Sequence, residues 1–289
     1  MTESSNIQAR LRLRALTINT WAIRGRSEGA RLTMARLCEL VRRFDELRPD
    51  LVLCQEVWRG REAAVLKAAP SLPHYVQSDD YSSDRRLGAG LLVLSRHPLE
   101  PARERTYSVD APGRVTRRSA LFTRTTLGDG SRLSIVNTHL IDNPSATLGP
   151  HLGSRGEAMF LGGPRHDPLE ANRATQLREL FGWIDAHTEG PLLLGGDLNT
   201  GPQYPLWFSF LSELAQSRPE LWQTISLSSG VGHTYDNQYS PTGRSEGQLD
   251  HLIGLRGAQV TEARVALTEP FDASLPPTPL QRWLRGALA

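Results

Sequence analysis

The spacing of hydrophobic residues along the chain predicts strands that are interleaved with helices. Residues 11–19 alternate between apolar and polar positions, as in a strand with one buried face. Residues 27–48 place apolar side chains on one helical stripe, with Ser27 as a suitable N-cap and Pro49 just after the end. Residues 50–55 form a short apolar run that predicts another strand. The first unit is therefore strand, helix, strand.

The rest of the chain continues this alternation. Helices are predicted over residues 170–187 and around residues 207–214, and the apolar positions that indicate them are Ala174, Leu177, Phe181, Ile184, Trp207, Phe208, Leu211 and Leu214. Further strands are predicted at residues 90–95, 120–127, 131–138, 191–195, 252–255 and 260–267. Residues 143–168 have no clear period and predict a long loop, which is either functional or a tolerated surface insertion. The pattern favours one mixed α/β layered domain.

Polar residues follow several of the apolar runs. The segments run from Leu16 to Trp21, Cys54 to Glu56, Asn137 to Leu140, Gly195 to Asn199 and Gln248 to His251. Each segment places an Asn, Glu, His or Asp just past a stretch that predicts a buried strand. This arrangement brings residues that are distant in sequence together at one rim of a sheet. The five segments together point to a divalent-metal phosphodiesterase.

Two of these segments suit a magnesium ion. Mg²⁺ prefers oxygen ligands, binds through one or two carboxylates and keeps several waters. Glu56, which ends a strand, is a suitable first ligand, and Asn19 beside it offers a neutral oxygen. Taken alone, a Glu after a strand is usually only solvated, so the assignment depends on the other segments.

The segments around Asp197 and His139 add groups that can act on a phosphate. Paired glycines let the chain turn after residues 192–194, and an extended backbone puts Asp197 and Asn199 on the same side. The alternative is an Asx-type turn. Asp197 can accept a proton or bind metal, and Asn199 can donate to a phosphoryl oxygen. His139, which alone would more often be structural, becomes a phosphate ligand or an acid for the leaving group.

Composition changes this picture little. The formal net charge of +2 does not indicate a nucleic-acid-binding tail, and the two cysteines indicate neither a disulfide framework nor a zinc site. We see no basic region followed by an apolar stretch at the N-terminus and no apolar run long enough for a transmembrane helix. We therefore expect a cytoplasmic monomer without a membrane span or a protein partner, acting on a phosphodiester substrate.

The order of Asn19, Glu56, His139, Asp197–Asn199 and Asp250 resembles the endonuclease/exonuclease/phosphatase superfamily, whose members are similar to deoxyribonuclease I. The resemblance implies a four-layered α/β/β/α sandwich, in which two packed mixed sheets carry helices on both outer faces. It covers roughly residues 11–267. We accordingly expect a disordered extension at residues 1–10, the domain at residues 11–268 and an atypical tail at residues 269–289.

Three segments are similar to the neutral sphingomyelinase branch of that superfamily. They are Gly88 to Pro98, Arg118 to Thr123 and Gly232 to Tyr239. By resemblance, Asn19, Glu56 and Asp197 would bind Mg²⁺, with Mn²⁺ as an alternative, and Asp197 and Asn199 would orient the water and the phosphate. His139 would contact the scissile phosphate, Asp250 would support the catalytic residues, and Arg118 and His251 would contact the substrate.

One expected motif is missing. The family normally ends with a Ser-Asp-His segment that supplies the general base, but this chain has no histidine after His251. Three explanations remain open. The tail is truncated or altered, or Asp250 and His251 are themselves the terminal pair, or another histidine takes the vacant position; the candidates for the last are His151, His166 and His233.

The leading hypothesis is a Mg²⁺-dependent phosphodiesterase that acts on sphingomyelin or a related phospholipid. A nuclease acting on DNA or RNA is the second enzyme hypothesis, although near-neutral charge gives it little support. Its local basic patch would consist of Arg103, Arg105, Arg114, Arg117 and Arg118. The non-enzyme alternative is a catalytically impaired relative that lacks the terminal histidine.

Overall fold

Alternate side chains of the buried strands face two different layers of the molecule. The computed structural model describes residues 11–22, 32–79, 88–110, 116–141, 169–228, 234–237 and 245–267. The strands are β1 (Ala15–Asn19), β2 (Leu51–Gln55), β3 (His74–Gln77), β4 (Leu92–Ser95), β5 (Arg103–Thr106), β6 (Ser119–Thr126), β7 (Arg132–His139), β8 (Leu192–Asp197), β9 (Ser226–Leu227), β10 (Tyr235–Asn237), β11 (Ser245–Gly247) and β12 (Asp250–Leu255). The helices are α1 (Thr33–Leu47), α2 (Gly60–Lys67), α3 (Glu170–His187), α4 (Pro205–Ser217) and α5 (Pro219–Trp222).

The strands form two mixed sheets and a small hairpin. The first sheet has the order β1-β2-β4-β3, in which β1 and β2 are parallel and the other pairs are antiparallel. The second has the order β5-β6-β7-β8-β12-β9, in which only β7 and β8 are parallel. Strands β10 and β11 pair with each other.

Three hydrophobic clusters fill the spaces between four layers. Leu51 and Leu53 of β2 pack with Ile135 of β7 between the two sheets. Val52 and Cys54, the alternate residues of β2, face α1 and α2. On the far side, α3, α4 and α5 cover the second sheet through a separate cluster. The four-layered α/β/β/α sandwich predicted from the family resemblance is confirmed.

Most predicted elements lie within two residues of the observed ones, but two predictions are wrong. Residues 260–267 form no strand and do not extend the second sheet, whose last strand on that side is β9. In α4, Phe208 is 58% exposed, whereas Leu206 and Phe210 are buried, so the inward face is rotated from the predicted one. Helix α1 begins at Thr33, and the predicted cap Ser27 lies outside the described residues. Residues 1–10 and 269–289 lie outside them as well.

A buried polar contact joins the two sheets beneath the strand ends. Asn137 of β7 accepts a hydrogen bond from Nε2 of Gln55 in β2 over 2.8 Å. Its own Nδ2 donates to the carbonyls of Cys54 and Leu92 over 2.9 and 3.1 Å. Both side chains are fully buried, so these bonds fix how the first sheet sits on the second.

We expect Asn137→Ala to lower the free energy of unfolding by about 3 kcal/mol or more, because it leaves Gln55 and two backbone carbonyls without that partner in the core. Urea denaturation followed by circular dichroism measures the loss. Asn172→Ala removes a single amide contact at the surface of α3 and is the control. Equal losses in the two variants would show that the contact between the sheets contributes little.

Candidate active site

The ends of four strands and the start of a fifth meet at one rim of the two sheets. In the first sheet, Asn19 at the end of β1 lies opposite Gln55, and Glu56 follows directly. In the second, Asp197 at the end of β8 pairs with His139 of β7 on one side and Asp250 of β12 on the other. The sequence segments singled out for their polar ends therefore converge.

Gly196 allows β8 to lie close to β7 at this rim. Its φ is +152°, and a Cβ at this position would lie 1.9 Å from the carbonyl oxygen of Thr138. The backbone of β8 thus passes where a side chain has no room, and it delivers Asp197 directly beside His139.

Asn19 connects the two sheets at the site. Its Nδ2 donates to Oε1 of Glu56 and to Oδ2 of Asp197, each over 3.0 Å. Its Oδ1 accepts the backbone N–H of Trp21 over 3.0 Å. Asn19 therefore holds two carboxylates that come from different sheets against one amide group. Glu56 has a φ of +60° and Trp21 a φ of +44°, which are rare backbone conformations that concentrate at functional sites.

Asp197 is buried and in an environment that favours its protonated form. Burial, with a smaller contribution from the nearby charge of Glu56, raises the pKa of Asp197 from 3.8 to about 6. Hydrogen bonds from Asn19 and from the backbone N–H of Asn199, together with the charge of Arg118, oppose this rise. A bound cation would favour the ionised form of the same carboxyl group.

His139 lies between Arg118 and Asp197. Nε2 of His139 is 3.6 Å from Oδ2 of Asp197, and Nδ1 is 2.6 Å from Nη1 of Arg118. All three side chains are buried. Arg118, which we expected to contact the substrate, thus contacts His139 in the structure.

Asn199 and Asp250 complete the cluster. Asn199 has a φ of +50°, and its Nδ2 donates to the carbonyl of Leu140 over 3.0 Å. Burial, and then the charge of Asp197, raises the pKa of Asp250 well above 3.8. Oδ1 of Asp250 is buried and has no hydrogen-bond partner among the described residues. A buried carboxyl oxygen without a partner is energetically unfavourable when the group is ionised, in line with the raised pKa.

The structure does not bring His251 to this cluster. Side chains alternate along β12, so His251 faces away from Asp250. Its Nε2 donates to the carbonyl of Thr200 over 2.8 Å, and its ring stacks on Trp207 at 4.6 Å. Burial lowers the pKa of His251 to about 4. This geometry supports a packing role, and neither the substrate contact nor the terminal Asp–His pair considered from the sequence.

The other candidates for the missing base, which are His151, His166 and His233, lie outside the described residues. The sequence reasoning did not identify the roles of three residues around the site. Gln55 and Asn137 were seen only as parts of larger segments, and their contact across the sheets became visible only in the packing. Arg36 was missed because nothing in a helical stripe shows that it donates to the carbonyls of Thr20 and Trp21 beside the site.

Two carboxyl groups of the site are of the kind that binds a magnesium ion. Glu56 and Asp197 supply two carboxylates from opposite sheets, separated by the amide of Asn19. Within the described ranges, no group of three or more His, Cys, Asp or Glu side chains is arranged to hold a metal. Mg²⁺ needs only one or two carboxylates, and waters complete its shell. The prediction that Asn19 offers its oxygen beside Glu56 is wrong for this structure, because Nδ2 faces the carboxylates and Oδ1 accepts the backbone N–H of Trp21.

These observations define a class of proteins in which two mixed sheets pack face to face. Carboxylate, amide and histidine side chains lie together at one rim of the sheets. A family model described as Endonuclease/Exonuclease/phosphatase family matches residues 16–252. The chain belongs to this family, as the order of its segments predicted. None of the helices in the described part of the chain is long and apolar enough to span a membrane.

Individual known proteins are also similar to this chain in sequence or in fold. Sphingomyelin phosphodiesterase 2 of Homo sapiens is 26% identical over 196 residues, which are 67% of this chain and 42% of the human protein. The chain thus spans less than half the length of that relative. Sphingomyelinase C from Streptomyces griseocarneus has a TM-score of 0.62 at 19% identity, with 88% of each chain covered. A mutant of beta toxin from Staphylococcus aureus with bound magnesium ions has a TM-score of 0.62 at 14% identity, covering 91% of this chain and 93% of the toxin.

Proposed function

We propose that the protein is a Mg²⁺-dependent phosphodiesterase that hydrolyses sphingomyelin or a related phospholipid. The observation that carries the proposal is the cluster in which Asn19 bridges Glu56 and Asp197 beside His139. Charge neutralisation, an activated water and a hydrogen-bond donor to the phosphate are what cleavage of a phosphodiester requires. The cluster offers a suitable group for each.

Each side chain has a distinct task in this proposal. Glu56 and Asp197 would hold Mg²⁺, with Asn19 between them, and Mn²⁺ is the alternative ion. The ion would supply positive charge to the phosphate and lower the pKa of a bound water. Asp197 and Asn199 would orient water and phosphate, and Asp250 would support them from β12.

Three observations favour a phospholipid over a nucleic acid. The segments from Gly88 to Pro98 and from Gly232 to Tyr239 are similar to the neutral sphingomyelinase branch. The human relative and the Streptomyces structure both carry names that denote sphingomyelin cleavage. The net charge of +2 provides little general attraction to nucleic acid. We also propose that the protein acts as a cytoplasmic monomer.

The proposal is tested by hydrolysis of a chromogenic phosphodiester with and without Mg²⁺. We expect metal-dependent turnover in the wild type and a loss on the order of a hundredfold or more in Glu56→Ala, because one of two carboxylates for the ion is removed. Glu46→Ala, at an exposed position of α1, is the matched control and should retain activity. Wild-type-like turnover of Glu56→Ala would show that Glu56 is not a ligand.

A panel of sphingomyelin, DNA and RNA then identifies the substrate. Cleavage of sphingomyelin vesicles alone is expected. Metal-dependent cleavage of DNA or RNA would favour the nuclease hypothesis instead. Calorimetric Mg²⁺ binding without turnover of any substrate would indicate a family member that lacks a working general base.

A further inference from the structure

Arg118 and His139 form a buried pair beside the two carboxylates. Arg118 is 4% exposed and His139 is 1% exposed. Arg118 directly precedes β6 and His139 ends β7, and the two strands are antiparallel neighbours in which Ala120 lies opposite Thr138. The pair is therefore fixed by the strand register rather than by a loop.

The chemistry of the two groups determines where the hydrogen of His139 lies. A guanidinium group has N–H donors and no acceptor. Nδ1 of His139, which is 2.6 Å from Nη1 of Arg118, must therefore present its lone pair. In a neutral imidazole the hydrogen is then on Nε2. Nε2 is the nitrogen that faces Asp197.

We infer that Arg118 is a positioning residue that holds His139 as an Nε2–H donor toward the phosphate site. The inference rests on the proposed function, since the phosphate is that of the proposed substrate. With Nε2 protonated, His139 donates a hydrogen bond to a phosphoryl or leaving oxygen and does not take a proton from the attacking water at that nitrogen. Arg118 acts through His139, because its Nη1 contacts the ring nitrogen that lies opposite Nε2.

The tautomer is measured on ¹⁵N-labelled, metal-free protein at neutral pH by long-range ¹H–¹⁵N correlation of the histidine rings, with His139→Asn to assign the signals. We expect a protonated Nε2 and an unprotonated Nδ1 in the wild type. Arg118→Lys, which still donates, should keep this signature, and Arg118→Met should lose it. Arg124→Met, at a partly exposed position of β6, is the control and should leave the signature unchanged.

A wild-type spectrum with Nδ1 protonated would overturn the inference, and so would an unchanged signature in folded Arg118→Met. If Arg118→Met does not fold, the wild-type and Arg118→Lys spectra decide. These readouts need no turnover, so they are independent of whether the protein hydrolyses a phosphodiester.

Kinetics separate positioning from direct substrate binding. On the chromogenic phosphodiester, Arg118→Met should lower kcat on the order of ten- to a hundredfold with little change in KM, because the donor geometry of His139 is lost. Arg118→Lys should recover most of kcat. A raised KM with unchanged kcat would show that Arg118 binds substrate and would overturn the inference. An inactive wild type with the expected tautomer would contradict the proposed function alone.

Discussion

Gly196→Ala is expected to leave too little folded protein for an activity assay at 37 °C. The added Cβ would lie 1.9 Å from the carbonyl oxygen of Thr138 and 2.9 Å from its carbonyl carbon. Both atoms belong to the backbone of β7, so rotation of a side chain cannot relieve the clash. A φ of +152° adds strain for any residue with a Cβ. The loss in the free energy of unfolding should exceed about 4 kcal/mol.

Urea denaturation of Gly196→Ala beside Gly128→Ala measures this effect. Gly128 has open space around the position of a Cβ, so its substitution should change the free energy of unfolding by less than about 1 kcal/mol. A Gly196→Ala protein with the wild-type midpoint would show that β7 and β8 separate easily, and that the placement of Asp197 beside His139 does not depend on this glycine.

The interior strands could be predicted from the sequence because their side chains are buried on both faces. β2, β4 and β8 contain apolar runs, and β7 carries apolar residues at Leu133, Ile135 and Val136. The positions of all four strands are confirmed to within two residues. β3 and β5, each at one edge of its sheet, were missed because they lack an apolar run. Their sequences, His-Tyr-Val-Gln and Arg-Glu-Arg-Thr, are polar or mixed, as is usual for exposed edges.

The convergence of the candidate residues at one rim could be predicted, but the contacts between them could not. Asn19, Glu56, His139 and Asp197 were selected because they follow strands, and strand ends do meet at one rim. Which atoms face one another depends on the register across two sheets, which no single segment encodes. Thus the Arg118–His139 contact and the direction of the Asn19 amide came only from the structure. The orientation of His251, by contrast, follows from the sequence, because adjacent side chains of a strand such as β12 point to opposite faces and Asp250 is the neighbour of His251.

Asp197→Asn is expected to abolish phosphodiesterase activity and to stabilise the metal-free protein above pH 6. Burial raises the pKa of Asp197 from 3.8 to about 6, so the folded state keeps a proton that the unfolded state releases. Stability must therefore fall as the pH rises from about 4 through about 6, and it stays lower above that value. Two pKa units correspond to about 3 kcal/mol. An asparagine avoids this cost, although its nitrogen would face Nδ2 of Asn19, so we expect a net gain of about 1–2 kcal/mol.

The two effects are measured separately. Stability is measured by urea denaturation in EDTA at several pH values from 5 to 8. The free energy of unfolding of Asp197→Asn should exceed that of the wild type by an amount that grows with pH. Asp45→Asn, at an exposed position of α1, is the control and should show the same pH dependence as the wild type. At saturating Mg²⁺, turnover of Asp197→Asn should fall on the order of a thousand- to ten-thousandfold, because the substitution removes the carboxylate that, in the proposed function, orients water and holds the ion. A stability difference independent of pH would mean that Asp197 is already ionised at pH 5.

Retained turnover of Asp197→Asn would show that phosphodiester hydrolysis does not depend on this carboxyl group. A variant that is more stable but less active than the wild type would show that Asp197 destabilises the fold and is required for activity.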